Sequence, residues 1–531
     1  MQKSKTSKSG DRLGELPDSL IFEIFWFLPI TDVVRTIILS KRWKGLWKTA
    51  PFLNLNDSTM EKLDDYRTRV DRARGVVNRA LMLWSGVKIL KFKVDFPVPY
   101  NYTAIDNIWL NHVDVWVLLA TENGAEEVYL NLWADKGYIV PRNLYGDWKS
   151  LSAKRDTLLN DVDVWLLLAT KNGAEEVYLH LGEMSGYKEY LVPQCLYSCS
   201  SLKVLSLRSC RLVIHGNIKW DQLKSLTIGS TFCSVNFVTE NAVNLILNGS
   251  PKLEVFALTL KDSPQSLCIQ SSSLRKLSIT KHSRGSYFCV GPSKDTVLKI
   301  WTPNLERLKM VGIPYSKCVL LDVSSLSDAN LCFYSFGSMK YDYLLEEALG
   351  QILPSIRLVE TVTLSDWSIK VLGIMKKKHS LSPLSNVKVL NFVSSTQVEM
   401  VEMAGLLEIF PNVKRLSLSR RNYKNNEDSL ESEPINLAKL SLLQLRTIEI
   451  ACLEGDNFIF PLIKILLKYA SKLEKMVFQV GYLSPELQRV LKMPPRPSRR
   501  SNYLSCASQK VRKMPRSSPT AQLIFREKPS D

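Results

Sequence analysis

From residue 202 onward one short signature keeps returning: an apolar residue, two of any kind, an apolar residue, one of any kind, an apolar residue. It reads LKVLSL (202–207), LKSLTI (223–228), LEVFAL (253–258), LRKLSI (274–279), LERLKM (305–310), VKVLNF (387–392), VKRLSL (413–418), LRTIEI (445–450) and LEKMVF (473–478). The alternation at its end suits a short strand with one buried face. Most recurrences lie 21 to 32 residues apart, enough for one crossover segment between parallel strands and little more. A sandwich or a doubly wound sheet has no reason to repeat in this way, whereas a stack of strand-and-crossover units does. In the wider gap after 310, LLDVSSLSDANLCF (320–333) and VETVTL (359–364) read as degenerate copies.

A longer repeat precedes these. Residues 113–132, VDVWVLLATENGAEEVYLNL, and residues 162–181, VDVWLLLATKNGAEEVYLHL, are identical at seventeen of twenty positions at an offset of 49. The likeness resumes as YIVPRNLY (138–145) against YLVPQCLY (190–197). Each copy predicts a helix, a stop at Asn-Gly suited to a left-handed cap, and a strand, EEVYL. Trp116 and Trp165 are expected in the core and the paired glutamates in solvent. So close a copy points to insertion of one whole structural unit.

Near the N-terminus, Pro17 can open a helix with apolar residues at Leu20, Ile21, Ile24, Phe25 and Leu28, which Pro29 ends. Thr31 can cap a second short helix with Val33, Val34, Ile37 and Ile38, and Ser40 a third with Trp43, Leu46 and Trp47. Three such helices are too small to bury everything they carry, so the remainder needs a partner protein. Leu16-Pro17-Asp18, Asp32-Val33-Val34, and Leu39-Ser40-Lys41-Arg42-Trp43 followed by Leu46-Trp47 resemble a plant-type F-box. That resemblance implies docking on a Skp-type adaptor, and through it on a cullin ubiquitin ligase. Leu16, Pro17, Leu20, Ile21, Ile24, Leu28, Val33, Val34 and Trp43 are the expected adaptor contacts, with Trp43 and Trp47 equally suited to holding the helices together.

The DVWxLLAT…EEVYL units, SLKVLSLRSCRL and TPNLERLKM resemble the repeats of plant F-box/leucine-rich-repeat proteins. LRTIEIACLEGDNFIFPLIKILLKYASKLEKMVF (445–478) looks like the FBD module of such proteins, with NFIF where an acidic run usually stands. The expected fold class is therefore α/β: a three-helix F-box followed by an irregular, ribonuclease-inhibitor-like leucine-rich-repeat solenoid. The expected divisions are a disordered 1–10, the F-box at 11–50, linker helices at 51–84, and repeats at 85–430. An FBD-like cap at 431–483 and a basic, largely disordered tail at 484–531 follow. In that tail QRVLKMP (488–494) returns as QKVRKMP (509–515), which runs into a last strand, QLIF.

Charge sharpens this division. The net charge is +18, but residues 484–531 hold eleven Lys/Arg against three Asp/Glu. The tail offers solubility, an anionic contact or nuclear import, and it opens the alternative of a repeat protein working outside a ligase on nucleic acid. Few aromatics interleave with those charges, so nucleic acid is the weaker expectation. No run of about eighteen apolar residues argues for a membrane span, and the start MQKSKTSKSG has no apolar signal core. Ten cysteines without a CxxC pair and five scattered histidines suggest reduced thiols, no metal, and residence in cytoplasm or nucleus. No phosphate loop, nucleophile elbow, H-E-x-x-H or Rossmann glycine pattern appears, so no enzyme and no cofactor is expected.

Function then reduces to holding two proteins together. If the apolar positions of each repeat strand face inward, the intervening ones face the opposite, concave side. Lys276, Arg307, Lys309, Arg415 and Lys475 fall there, with Glu449 the carboxylate among them. A target segment bearing acidic or phosphorylated residues is the expected ligand.

Overall fold

The computed structural model describes residues 15–56, 66–85, 88–98, 107–134, 162–181, 190–229, 239–260, 265–282, 296–334, 342–378, 381–394, 406–420, 442–452, 460–480 and 508–527. The expectations for 1–10, for 138–145 and for most of the tail lie outside these residues. The chain divides into two compact units, Met1–Phe256 and Ala257–Asp531. The division falls inside the strand Val255–Leu260.

In the first unit, three short helices lead into a parallel sheet. They are α1 (Asp18–Phe27), α2 (Ile30–Arg35) and α3 (Lys41–Leu46). The strands stand in chain order: β1 (Phe52–Asn56), β2 (Lys91–Val98), β3 (Glu127–Ala134), β4 (Glu176–Leu181), then Val204–Arg208 and Ser225–Gly229. The helices α4 (Tyr66–Leu83) and α5 (Asn107–Glu122) and a helix over 162–171 connect them. The segment 51–84 is thus no linker. Phe52–Asn56 is a strand buried on both faces from Phe52 to Leu55 and pairs residue for residue with Lys91–Asp95, so 51–84 opens the strand-and-helix scheme.

The duplicated units fold alike for a local reason. Gly124 and Gly173 sit at φ +76° and +75°, where a side chain would be strained. In each copy the glycine N–H and the following alanine N–H return to the last turn: Gly124 to Thr121 and Ala125 to Ala120, then Gly173 to Thr170 and Ala174 to Ala169. This double bond closes the helix and aims the chain into its strand. Trp116 and Trp165 are buried as expected. Their indole N–H groups reach one unit back, Trp116 to Asn78 Oδ1 at 2.9 Å and Trp165 to Asp114 Oδ1 at 2.5 Å. Asp163, the counterpart of Asp114, accepts the Tyr190 hydroxyl at 2.6 Å.

The second unit continues the scheme. Its strands Lys276–Lys281, Arg307–Gly312, Asp328–Phe333, Thr361–Ser365, Val389–Ser394, Arg415–Arg420, Thr447–Cys452, Lys475–Val480 and Gln522–Glu527 pair in parallel, in chain order. Each of the nine recurrent signatures forms a strand, and the two degenerate copies fill the gap. Buried residues alternate along them, as in Leu277 and Ile279 or Leu308 and Met310. The FBD-like stretch extends the same ladder, with the helix Phe460–Tyr469 between its strands Thr447–Cys452 and Lys475–Val480. The expected last strand over QLIF is present: Gln522–Glu527 joins the sheet, with Phe525 stacked on Phe478 at 4.7 Å. A three-stranded parallel sheet of Ser266–Gln270, Val297–Trp301 and Lys317–Leu321 was not foreseen, since its strands lack the leading leucine of the signature.

Candidate functional site

The N-terminal helices show which apolar residues are already engaged. Ile21 and Phe25 of α1, Ile30 and Val33 of α2, and Trp43 and Trp47 are buried. Phe25 meets Trp43 edge-on at 5.6 Å, and Ser40 Oγ caps α3 by accepting from Trp43 N at 3.3 Å. Asp18 is ion-paired with Arg42, tying the start of α1 to α3. Asn54 of β1 donates to the carbonyl of Trp26 at 2.9 Å, which fixes α1 against the sheet.

The expected adaptor contacts divide accordingly. Ile21, Val33 and Trp43 are interior; they pack the helices together, the role the sequence left open for Trp43. Leu16, Ile24, Leu28 and Val34 are half-buried, and Pro17 and Leu20 are exposed. Three large apolar side chains were missed: Phe27, Ile38 and Leu39, which are 78%, 88% and 49% exposed. The signal was present in α1. Ile21 and Phe25, at i and i+4, face inward, while 20, 24 and 27 form a second stripe beside them. A helix apolar on two adjacent stripes has one to spare for a partner.

The open face of the second unit holds the expected basic residues. Lys276 lies directly across from Arg307, and Ser278 across from Lys309. Lys276, Arg307 and Lys309 are exposed, so three cations share a two-strand patch. The strip does not run on unbroken. Across from Arg307 stands Asp328, a carboxylate the pattern did not reveal; burial raises its pKa and Arg307 lowers it. Arg415 is held by Glu449 at 2.6 Å, and Lys475 lies beyond Thr447 in the same row.

The open face of the first unit carries a different chemistry that the sequence did not single out. Trp26, Tyr129 and Tyr178 stand in a row, with ring centroids 5.4 Å and then 4.1 Å apart; Trp26 is tilted by 53° from Tyr129, and the two tyrosines stack within 9° of parallel. Each tyrosine donates its hydroxyl to a glutamate of its own strand, Tyr129 to Glu127 at 3.0 Å and Tyr178 to Glu176 at 2.8 Å. Burial and these bonds push both phenols up, Tyr178 to about 12, so both remain donors at neutral pH. Lys91 is ion-paired with Glu127 at 3.2 Å and stands 5.7 Å from the rings of Trp26 and Phe52. His180 meets Ser206 Oγ at 3.1 Å; burial, then Arg208, lowers its pKa to about 4, which leaves it neutral. The other two glutamates of the repeats are surface-paired, Glu126 with Lys88 and Glu175 with Lys203.

Among the described residues no cluster of His, Cys, Asp or Glu could hold a metal ion, and no helix is long and apolar enough to cross a membrane. The F-box domain family matches residues 13–55, and the family described as "FBD-associated F-box protein At5g56370, LRR repeats" matches residues 162–341. The putative F-box/LRR-repeat protein At3g18150 of Arabidopsis thaliana is 22% identical over 94% of this chain and 92% of its own length. The F-box/LRR-repeat protein At5g02910 of the same plant is 25% identical over 89% of each chain. The F-box/FBD/LRR-repeat protein At1g78750, also from Arabidopsis, is 22% identical over 89% of this chain and 91% of its own. The chain thus carries an F-box followed by leucine-rich repeats of the FBD-associated type, as the resemblance implied.

Proposed function

We propose that this F-box and leucine-rich-repeat chain is the substrate-recognition subunit of an SCF-type (Skp adaptor–cullin–F-box) E3 ubiquitin ligase. The observation that carries the proposal is the exposed set Leu20, Phe27, Ile38 and Leu39 on a module whose core is already complete. Covering a side chain of the Phe27 type is worth about 1.5–3 kcal/mol of transfer free energy, and a Skp-type adaptor is the partner that an F-box implies. The repeats hold the target protein, whose acidic or phosphorylated side chains meet Lys276, Arg307 and Lys309 in the second unit. The chain itself performs no bond chemistry; it raises the local concentration of target beside the ligase. Cytoplasm and nucleus, where such ligases work, are its proposed locations.

Affinity isolation of the full chain under proteasome inhibition tests this proposal. Adaptor, cullin and one ubiquitinated protein enriched together are expected. A folded chain that recovers neither adaptor nor cullin contradicts the ligase role.

A further inference from the structure

The duplication provides an internal comparison. In the first copy, Glu127 accepts from Tyr129 and is neutralised by Lys91, whose ammonium also faces the Trp26 and Phe52 rings. Carboxylate, phenol and aromatic wall together hold one cation. The second copy, offset by 49 residues, reproduces the carboxylate and the phenol as Glu176 and Tyr178, with the same hydroxyl-to-carboxylate bond at 2.8 Å. It does not reproduce the cation. Lys91 came from the strand before the first copy; the residue now in that place is Glu127, directly across from Glu176. On the other side stands Val204. Arg208 lies across from His180, four residues further along, about 13 Å away at the rise of a strand. Among the described residues Glu176 has no cationic partner, and Lys91, Glu127 and Glu176 together carry one negative charge in excess.

We propose that Glu176 and Tyr178 receive an arginine side chain carried on an extended segment of the protein that the repeats hold. The proposal rests on the reading that the repeats bind a protein segment. Charge complementarity selects a cation, and Lys91 in the first copy shows the kind of group that this carboxylate–phenol pair holds. The shape selects arginine. Tyr129 covers one face of the Tyr178 ring in a parallel stack, while the residue across from Tyr178 on the other side is Ser206, too short to cover the ring. A planar guanidinium can lie on that face and direct two N–H groups to Glu176, which a compact ammonium cannot do. The Tyr178 hydroxyl, already donating to Glu176, holds the carboxylate in place.

The test uses the full chain on an array of immobilised Gly-Ser decapeptides. Each carries one central arginine, or citrulline or lysine in its place. Arginine spots are expected to retain at least ten times more protein than citrulline spots, with lysine between them. Glu176→Gln should fall to the citrulline level, and Glu175→Gln, whose carboxylate is occupied by Lys203, should not change. Should Glu176→Gln fail to fold, a chain lacking residues 117–165 replaces it: Lys91 then faces Glu176, and arginine retention should vanish. Equal retention of arginine and citrulline peptides, or full retention by Glu176→Gln, overturns the proposal. Adaptor capture is read on the same samples. Arginine retention without adaptor refutes the ligase role alone, and adaptor capture without arginine preference refutes this site alone.

Discussion

Deleting residues 117–165 removes 49 residues in register and joins Trp116 to Leu166. Each contact at the junction has a counterpart. Trp116 still donates to Asn78, and Asp114, now in the place of Asp163, meets the Tyr190 hydroxyl. Lys88 and Lys91 find Glu175 and Glu176 where Glu126 and Glu127 stood. What disappears is one rung. The Trp165 to Asp114 hydrogen bond is worth about 1.5–3 kcal/mol for a charged acceptor, and the Tyr129 to Tyr178 stack about 0.5–1.5 kcal/mol. The conformational entropy of ordering that unit disappears with them. Stability in a repeat array is a sum of units and neighbour interfaces, so the shortened chain should unfold in one cooperative transition. Its denaturant slope should be smaller by about a tenth, in proportion to the surface removed. Removing only 117–132, which takes the end of α5 and most of β3 and leaves the opening turns of the helix, should abolish cooperativity. Circular dichroism during urea titration measures both. A broad transition for the 49-residue deletion refutes the equivalence of the copies.

The F-box surface and its core should separate by assay. Phe27→Asp with Ile38→Asp should cost about 2–4 kcal/mol of adaptor binding if these are central contacts, with the melting temperature unchanged. Ile21→Ala, in the core, should instead lose about 2–5 kcal/mol of stability, seen in thermal melts. His180 should leave a pH signature. Its folded pKa is about 4, below the unfolded value of about 6.5, so the unfolded chain binds the extra proton. Its contribution is complete above pH 6.5 and is lost as the pH falls toward 4; His180→Asn, the residue at position 131 of the other copy, should flatten that fall in urea midpoints. Arg307→Glu with Lys309→Glu should abolish target capture while adaptor capture persists, and normal capture at low and moderate salt would remove this patch from the recognition surface.

The repeat strands were legible because their pattern states both period and facing. Leu277 and Ile279, or Leu308 and Met310, are buried where the alternation puts them. Short flanking strands such as Val297–Trp301 were not, since five apolar and polar residues in a row fit many conformations. In α1 the sequence showed how much was apolar and not which stripe would be left over; that depended on where α3 and β1 pack. Lys276, Arg307 and Lys309 could be placed on one face from the strand period alone. Asp328 beside them could not, because its unit lacks the signature that sets the register. The row of Trp26, Tyr129 and Tyr178 brings Trp26 to a tyrosine about a hundred positions away, and only the parallel pairing of β3 with β4 brings the two tyrosines of the duplication face to face.

The backward reach of each tryptophan gives a unit of the first half two matched ends. An indole N–H is offered toward the preceding unit, and a carboxylate waits for whatever follows. Monomers with matched ends can be added by unequal crossing-over without leaving an orphaned group inside. On the open face the same event is not neutral, because a copied side chain does not bring along the neighbour that satisfied it. Lengthening such a chain therefore creates unspent bonding capacity at its surface in a single genetic step, ahead of any point mutation, and a lineage that gains and loses whole units can explore new binding partners while its interior stays the same.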